Sequence, residues 1–198
     1  MEYVDPLRKR TQINSMKRAL KSKSLRDYCL FTVGINTGLR ISDLLALSIN
    51  DVLIPCGARR YKVASRVTVR EKKTGKRRDM ILNTPARSAI SSYLRQRRWK
   101  SMEEPVFLSR KHNPDGTPKS LSRVQVWTVL SDAAHRAGIE DAVGTHTMRK
   151  TFGYFRYKAG RPLEEIQKMF GHSHGYITLA YIGITREQIE DSYRKIEL

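Results

Sequence analysis

Cysteine is nearly absent from this chain: two in 198 residues, Cys29 inside an apolar run and Cys56 in a Pro-Cys-Gly turn. Two thiols in such unlike settings make neither a metal box nor a disulfide framework, and each is expected to act as a small hydrophobe. A chain of this length buries roughly 70% of its unfolded surface and needs no such staple. Long apolar runs are missing too. No stretch approaches the roughly 18 residues that would cross a bilayer, and the charged opening Met1–Arg10 is not followed by the apolar segment of a secretion signal. A soluble, cytoplasmic protein is therefore expected. Acidic residues are the third scarcity: 19 Asp and Glu stand against 38 Lys and Arg, a net charge of +19. An imbalance of that size argues for a polyanionic partner. A membrane surface fits less well, since no basic helix with an aromatic face is evident.

The excess charge is local. Residues 57–100 hold 15 basic side chains and two acidic ones, Glu71 and Asp79, whereas residues 161–198 hold five basic and six acidic. One surface is built to meet a polyanion, and the C-terminal stretch has another task. The chain carries no internal repeat and reads as mostly helical with a small antiparallel sheet, an α+β class. Leu25–Asn36 is apolar on more than one face and predicts a buried helix stopped at Thr37-Gly38. Ile41–Ser48 restarts helical spacing. Asp51–Ile54, Tyr61–Arg70 and Arg77–Leu82 are rich in Val and Ile between turns and predict one small sheet. Thr84-Pro85 opens a helix to about Trp99, with Thr84 as its cap. Lys111–Lys119 reads as a surface loop. Further helices are expected over Leu121–Ala137, Thr147–Ala159 and Leu163–Phe170, and a capping box at Thr185–Gln188 opens a last one to about Ile196.

Six polar residues stand out in order: Arg40, Lys73, His146, Arg149, His172 and Tyr181. Each has a bland explanation. An arginine after a turn is usually a solvated charge, but Arg40 opens an apolar helix, where a charge is costly and a guanidinium can fork onto two phosphate oxygens. Asp43, three residues on, can brace it or simply serve as a carboxylate at a helix start. Lys73 sits at a hairpin tip among Lys72, Lys76, Arg77 and Arg78, where charge often serves only solubility; a lysine there could also protonate a leaving oxygen, and composition leaves open which one. His146 and Arg149 share a helix face near its positive end. His172 lies in Gly-His-Ser-His-Gly, yet His172, His174 and His146 lack the further ligands of a zinc site, so no metal and no cofactor are expected. Tyr181, in Leu-Ala-Tyr-Ile, has the pattern of a core aromatic. Jointly the set changes meaning. Two arginines, a lysine and two histidines supply charge neutralisation and proton transfer around a phosphorus atom, and a tyrosine supplies a covalent nucleophile.

The pieces TGLRISDLLAL, EKKTGKR, THTMRKTFG and MFGHSHGYITLAYIGI, in this order, resemble the tyrosine recombinase, or phage integrase, family, as does the nine-residue step from His172 to Tyr181. The resemblance runs from about Leu25 to the C-terminus. It implies the fold of that family's catalytic domain over residues 25–198, with a C-terminal exchange tail at about 182–198, and residues 1–24 as a basic segment in place of a full core-binding domain. It further implies Tyr181 as the nucleophile that forms a 3′-phosphotyrosyl bond, Arg40 and Arg149 as the oxygen clamp, Lys73 as the general acid, His146 in proton transfer and His172 on a phosphate oxygen. The implied partner is double-stranded DNA, bound by a tetramer whose neighbours trade C-terminal segments, with accessory DNA-bending or directionality proteins. Lys150 stands where the family often has a second histidine. A nicking and closing enzyme of the type IB topoisomerase kind, or a DNA-binding regulator without catalysis, would be the alternatives. Neither the target sequence nor the choice among integration, excision, inversion and resolution is written in the residues.

Overall fold

A computed structural model describes residues 4–58, 60–184 and 194 of the chain. Helices dominate it, with three short antiparallel hairpins, in agreement with the α+β expectation. The segment before Leu25 is helical: α1 (Arg10–Lys21) turns Met16 and Leu20 inward and leaves most of its charge outside. It packs on α2 (Leu25–Thr37) and shares that helix's apolar core. Ser24 caps α2 by accepting from the Asp27 amide. α2 is buried along most of its length and packs against the helices over Thr84–Gln96 and Thr145–Lys158.

The stretch expected as one helix over Ile41–Ser48 is helical only over its first four residues, and the strand expected from Asp51 starts at Leu53 because Asp51 and Val52 are helical. α3 (Ile41–Leu44) stops, and Ser48 begins α4 (Ile49–Val52), because its amide and hydroxyl both donate to Asp51 Oδ2, at 2.7 and 2.8 Å. The expected single sheet is two hairpins. β1 (Leu53–Pro55) pairs with β2 (Tyr61–Val63), and β3 (Arg66–Arg70) with β4 (Arg77–Ile81). The chain changes partner between Ala64, whose amide donates to the Val52 carbonyl in register with β1, and Ser65, whose carbonyl accepts from the Leu82 amide in register with β4. In β3, Val67 and Val69 alternate inward and the arginines outward, so this hairpin presents one cationic face.

Asn83, rather than Thr84, caps α5 (Thr84–Gln96), accepting from the Ala86 amide; Thr84 and Pro85 then occupy its first turn. Part of the expected loop at Lys111–Lys119 is instead paired, as β5 (Leu108–His112) with β6 (Pro118–Ser120). α6 (Arg123–Arg136) follows the Ser122 cap, and α7 (Thr145–Lys158) starts two residues earlier than its apolar pattern suggests, at Gly144, whose amide donates to the Thr147 hydroxyl. α8 (Leu163–Phe170) has the expected bounds. A short helix that the sequence pattern did not announce, α9 (Gly175–Tyr181), carries the tyrosine. The last helix expected from Thr185 lies outside the described residues.

Two apolar clusters result. The larger gathers α1, α2, α5 and α6; the smaller joins Phe152, Tyr154, Ile166, Phe170 and Ile182 beneath α7, α8 and α9. Ile182, expected as part of an exchange tail, is fully buried in this chain's own smaller cluster. No described helix is long and apolar enough to cross a membrane.

Candidate active site

Arg40 reaches the site because α2 ends sharply. Gly38 takes a left-handed conformation at φ 62°, and a Cβ there would lie 2.5 Å from the Phe152 ring. The turn exposes the Gly38 carbonyl to Arg149, which donates to it through Nη1. Arg40 then precedes α3. Its Nη1 lies 2.8 Å from Glu71 Oε2 and its Nη2 donates to the Phe170 carbonyl at 3.3 Å. The carboxylate bracing Arg40 is thus Glu71 and not Asp43. Asp43 is buried, but its Oδ1 accepts from the Lys72 amide at 2.9 Å and from the Ser42 hydroxyl at 3.3 Å. It anchors the turn that carries Lys73.

The β3–β4 turn is tied down by the same Glu71. The Thr74 hydroxyl donates to Glu71 Oε2 at 2.8 Å, and Arg78 Nη1 lies 3.5 Å from Oε1. Burial works to raise the Glu71 pKa, but Thr74, Arg40 and Arg78 outweigh it and hold the carboxyl below its usual range. Lys73 itself is exposed at the tip and lines the cleft.

His146 and Arg149 occupy the first two turns of α7. Arg149 is 4% exposed. It is held from two sides, by the Gly38 carbonyl and, at 2.8 Å, by the Phe170 carbonyl, with its guanidinium carbon 4.4 Å from the Phe170 ring centre. Burial pulls its pKa down to about 10, so it stays charged near neutrality. His146 Nδ1 lies 3.3 Å from the Tyr181 hydroxyl, and Arg123 Nη2 stands 3.5 Å from Nε2. Burial, then Arg123, Lys150 and Arg149, lower the His146 pKa, so the ring is neutral at ordinary pH.

α8 and α9 deliver the last two residues. The rings of Phe170, His172 and Tyr181 meet edge to face or tilted, with centroids 5.2–5.4 Å apart. Burial takes the His172 pKa down to about 4, helped by Arg149 and Arg40. Burial raises the Tyr181 pKa, while Arg149 and Arg40 oppose it. The close fit under Tyr181 depends on Gly153 in α7, where a Cβ would lie 2.6 Å from Ile182 and 2.7 Å from the Phe170 ring.

All six sequence-derived residues line one cleft of about 590 Å³. Three participants escaped the sequence. Glu71 looked like a stray acid in a basic run, and its isolation among cations was the available signal. Arg123 is one of many arginines. The Phe170 carbonyl, on which both Arg40 and Arg149 converge, is backbone and leaves no trace in the sequence. Among the described residues no three His, Cys, Asp or Glu side chains gather as a metal site would require. The arrangement can hold a phosphate against two fixed guanidiniums, with a phenol and a neutral imidazole alongside.

Comparison with known proteins points the same way. The model of the phage integrase family matches residues 8–188. A probable integrase/recombinase, YoeC of Bacillus subtilis, is 35% identical over 98% of this chain and 97% of its own length. Tyrosine recombinase XerD of Corynebacterium glutamicum is 28% identical over 86% of the chain, which spans about half (52%) of that relative. Among solved structures, XerA recombinase superposes over the whole chain and 66% of its own, with a TM-score of 0.76 at 20% identity.

Proposed function

The chain belongs to the phage integrase family, and from that premise we propose that it is a site-specific DNA recombinase that cuts and rejoins double-stranded DNA through Tyr181. One observation carries this reading: the Tyr181 hydroxyl lies 3.3 Å from His146 Nδ1 in the cleft where Arg40 and Arg149 both bind the Phe170 carbonyl. The Tyr181 oxygen attacks the phosphorus and gives its proton up to the neutral His146. Arg40 and Arg149, held by Glu71 and by backbone carbonyls, stabilise charge on the non-bridging oxygens. The bond from phosphorus to the 5′ oxygen breaks, and Lys73 supplies the proton to that oxygen. The product is a 3′-phosphotyrosine and a free 5′ hydroxyl. Attack by a 5′ hydroxyl on that phosphotyrosine reverses each transfer and rejoins the strand, so bond energy is conserved and no nucleotide cofactor is required.

A free Tyr181 hydroxyl has its pKa raised by burial, which disfavours its phenolate; a bound phosphate and the paired guanidiniums favour attack only when DNA fills the cleft. The partner is duplex DNA, met by the basic face of the β3–β4 hairpin. The working assembly is a tetramer spanning two duplexes, with C-terminal segments traded between neighbours and accessory DNA-bending proteins assisting, in the cytoplasm.

The test is covalent capture. Incubated with nicked suicide duplexes drawn from a random-sequence library, the chain is expected to form an adduct stable to denaturation, mapped by peptide sequencing to Tyr181. An adduct that persists in Tyr181→Phe would overturn the assignment, as would its complete absence with wild type.

A further inference from the structure

Thr178 belongs to no part of the mechanism above, yet it is fully buried and touches the site. Its hydroxyl lies 3.0 Å from His172 Nδ1. A threonine inside a helix can turn its hydroxyl back to the carbonyl four residues earlier, as Thr37 does onto Val33 at 2.9 Å and Thr128 onto Val124 at 3.1 Å. Thr178 makes no such bond in α9 and meets the imidazole instead. A buried hydroxyl proton needs an acceptor, and among the described residues the ring nitrogen is the acceptor it has. A hydroxyl that donates here satisfies that need, and Nδ1 then carries a lone pair.

That direction fixes the ring. With burial and two arginines keeping His172 neutral near physiological pH, an unprotonated Nδ1 places the single ring proton on Nε2. We propose that Thr178 is a positioning residue: its hydroxyl locks His172 in the tautomer that presents an Nε2–H donor to the cleft, ready for a phosphate oxygen. In the other tautomer the cleft-facing nitrogen would offer a lone pair to an anion, and the ring would repel what it should hold. The residues reach this arrangement because they are six apart, with Ser173 and His174 turning the chain between the end of α8 and the start of α9. The inference deepens the recombinase reading and rests on it for the identity of the anion, but the tautomer itself does not.

Two measurements on the full chain decide it. Ring-nitrogen NMR shifts of His172 in the DNA-free protein are expected to show the proton on Nε2 in wild type and in Thr178→Ser, and a shift towards the Nδ1 proton in the isosteric Thr178→Val. With saturating suicide duplex, adduct formation by Thr178→Val is expected to fall about tenfold, as for loss of one hydrogen bond to a reacting anion, with Thr178→Ser restoring most of it. A wild-type spectrum with the proton on Nδ1 overturns the proposal without any variant. So does a Thr178→Val protein that keeps the Nε2 tautomer and the wild-type rate. If wild type shows the Nε2 tautomer but forms no adduct, the tautomer claim stands and the recombinase reading fails.

Discussion

Glu71 Oε2 lies 2.8 Å from Arg40 Nη1, and this ion pair joins the hairpin that carries Lys73 to the arginine at the floor of the cleft. The carboxylate side chain is 8% exposed and Arg40 is 21% exposed. Removing one partner of so enclosed a pair leaves the other charge poorly compensated. Glu71→Gln is expected to lower stability by about 1–3 kcal/mol and to slow adduct formation at least tenfold, with a much smaller change in duplex affinity. Equilibrium unfolding and single-turnover cleavage check the two halves. An unchanged cleavage rate would mean that Arg40 finds its place without the pair.

The same carboxylate sets an acid limit. Its folded pKa lies below the ordinary value of 4.5, because Thr74, Arg40 and Arg78 outweigh the opposing effect of burial. A depressed folded pKa contributes stability that is complete above the unfolded value and disappears as pH falls through the folded one. The stability gap between wild type and Glu71→Gln should therefore be full at neutral pH and close below pH 4.5. Denaturant unfolding at the two conditions checks this, and a gap of equal size at both would assign the stabilisation to something other than the charge.

Why Glu71 escaped the sequence while Arg40 did not follows from where each signal resides. Arg40 stands against an apolar background after a helix stop, so its placement is costly and visible. Glu71 is one acid among fifteen cations over residues 57–100, and only the fold shows that it is buried. Asp43 was the nearer acid in sequence, but three positions along α3 carry it to the Lys72 amide instead. The helices with long apolar periods were legible, α8 to the residue. The early stop of α3 and the change of strand partner between Ala64 and Ser65 were not, because a local capping box and a switch of backbone hydrogen-bond partner decide them. α9 has seven residues, too short for periodicity to speak. The gathering of six dispersed side chains into one cleft was legible from their joint chemistry and from a resemblance; their distances depend on two carbonyls, Gly38 and Phe170, that no side-chain pattern encodes.

Lys73 is exposed at the hairpin tip and lines the cleft, so its loss should leave the core intact. If it protonates the leaving 5′ oxygen, Lys73→Ala slows cleavage about 100-fold or more, the range of general acid catalysis, while duplex affinity stays within a few-fold. A substrate whose bridging 5′ oxygen is replaced by sulfur leaves as a thiolate and needs no proton. Cleavage of that substrate by Lys73→Ala should match wild type. Equal defects on both substrates would reduce Lys73 to a phosphate contact.

Gly153 offers a test of packing under the nucleophile. A methyl added there would meet Ile182 Cγ2 at 2.6 Å and the Phe170 ring at 2.7 Å, both in the cluster that seats Tyr181. The Phe170 ring is fully buried, and its own carbonyl is the one that both arginines hold. Gly153→Ala is expected to cost about 1–3 kcal/mol by overpacking and to depress cleavage beyond what lost folded protein explains. Thermal melts alongside activity per folded molecule measure the two effects separately. A variant of normal activity would show that the cluster can yield without disturbing the clamp.

Salt should weaken duplex binding steeply, and the slope can be apportioned. The net charge is +19, and residues 57–100 carry thirteen of those charges in excess, 15 basic less two acidic. Each phosphate neutralised by a cation releases condensed counterions and steepens the log–log salt dependence by about 0.9. Arg123 lines the cleft mouth at the start of α6, with its guanidinium 3.5 Å from His146. A duplex phosphate entering the cleft is a stronger partner than a neutral imidazole, so Arg123 should transfer to DNA on binding. Arg123→Ala should then make the slope shallower by about one contact, with affinity falling alike on all sequences. Fluorescence anisotropy across a salt series measures both quantities. A slope unchanged by the substitution would keep Arg123 on His146 in the complex, and a flat wild-type response would remove the basic face from the DNA-binding surface altogether.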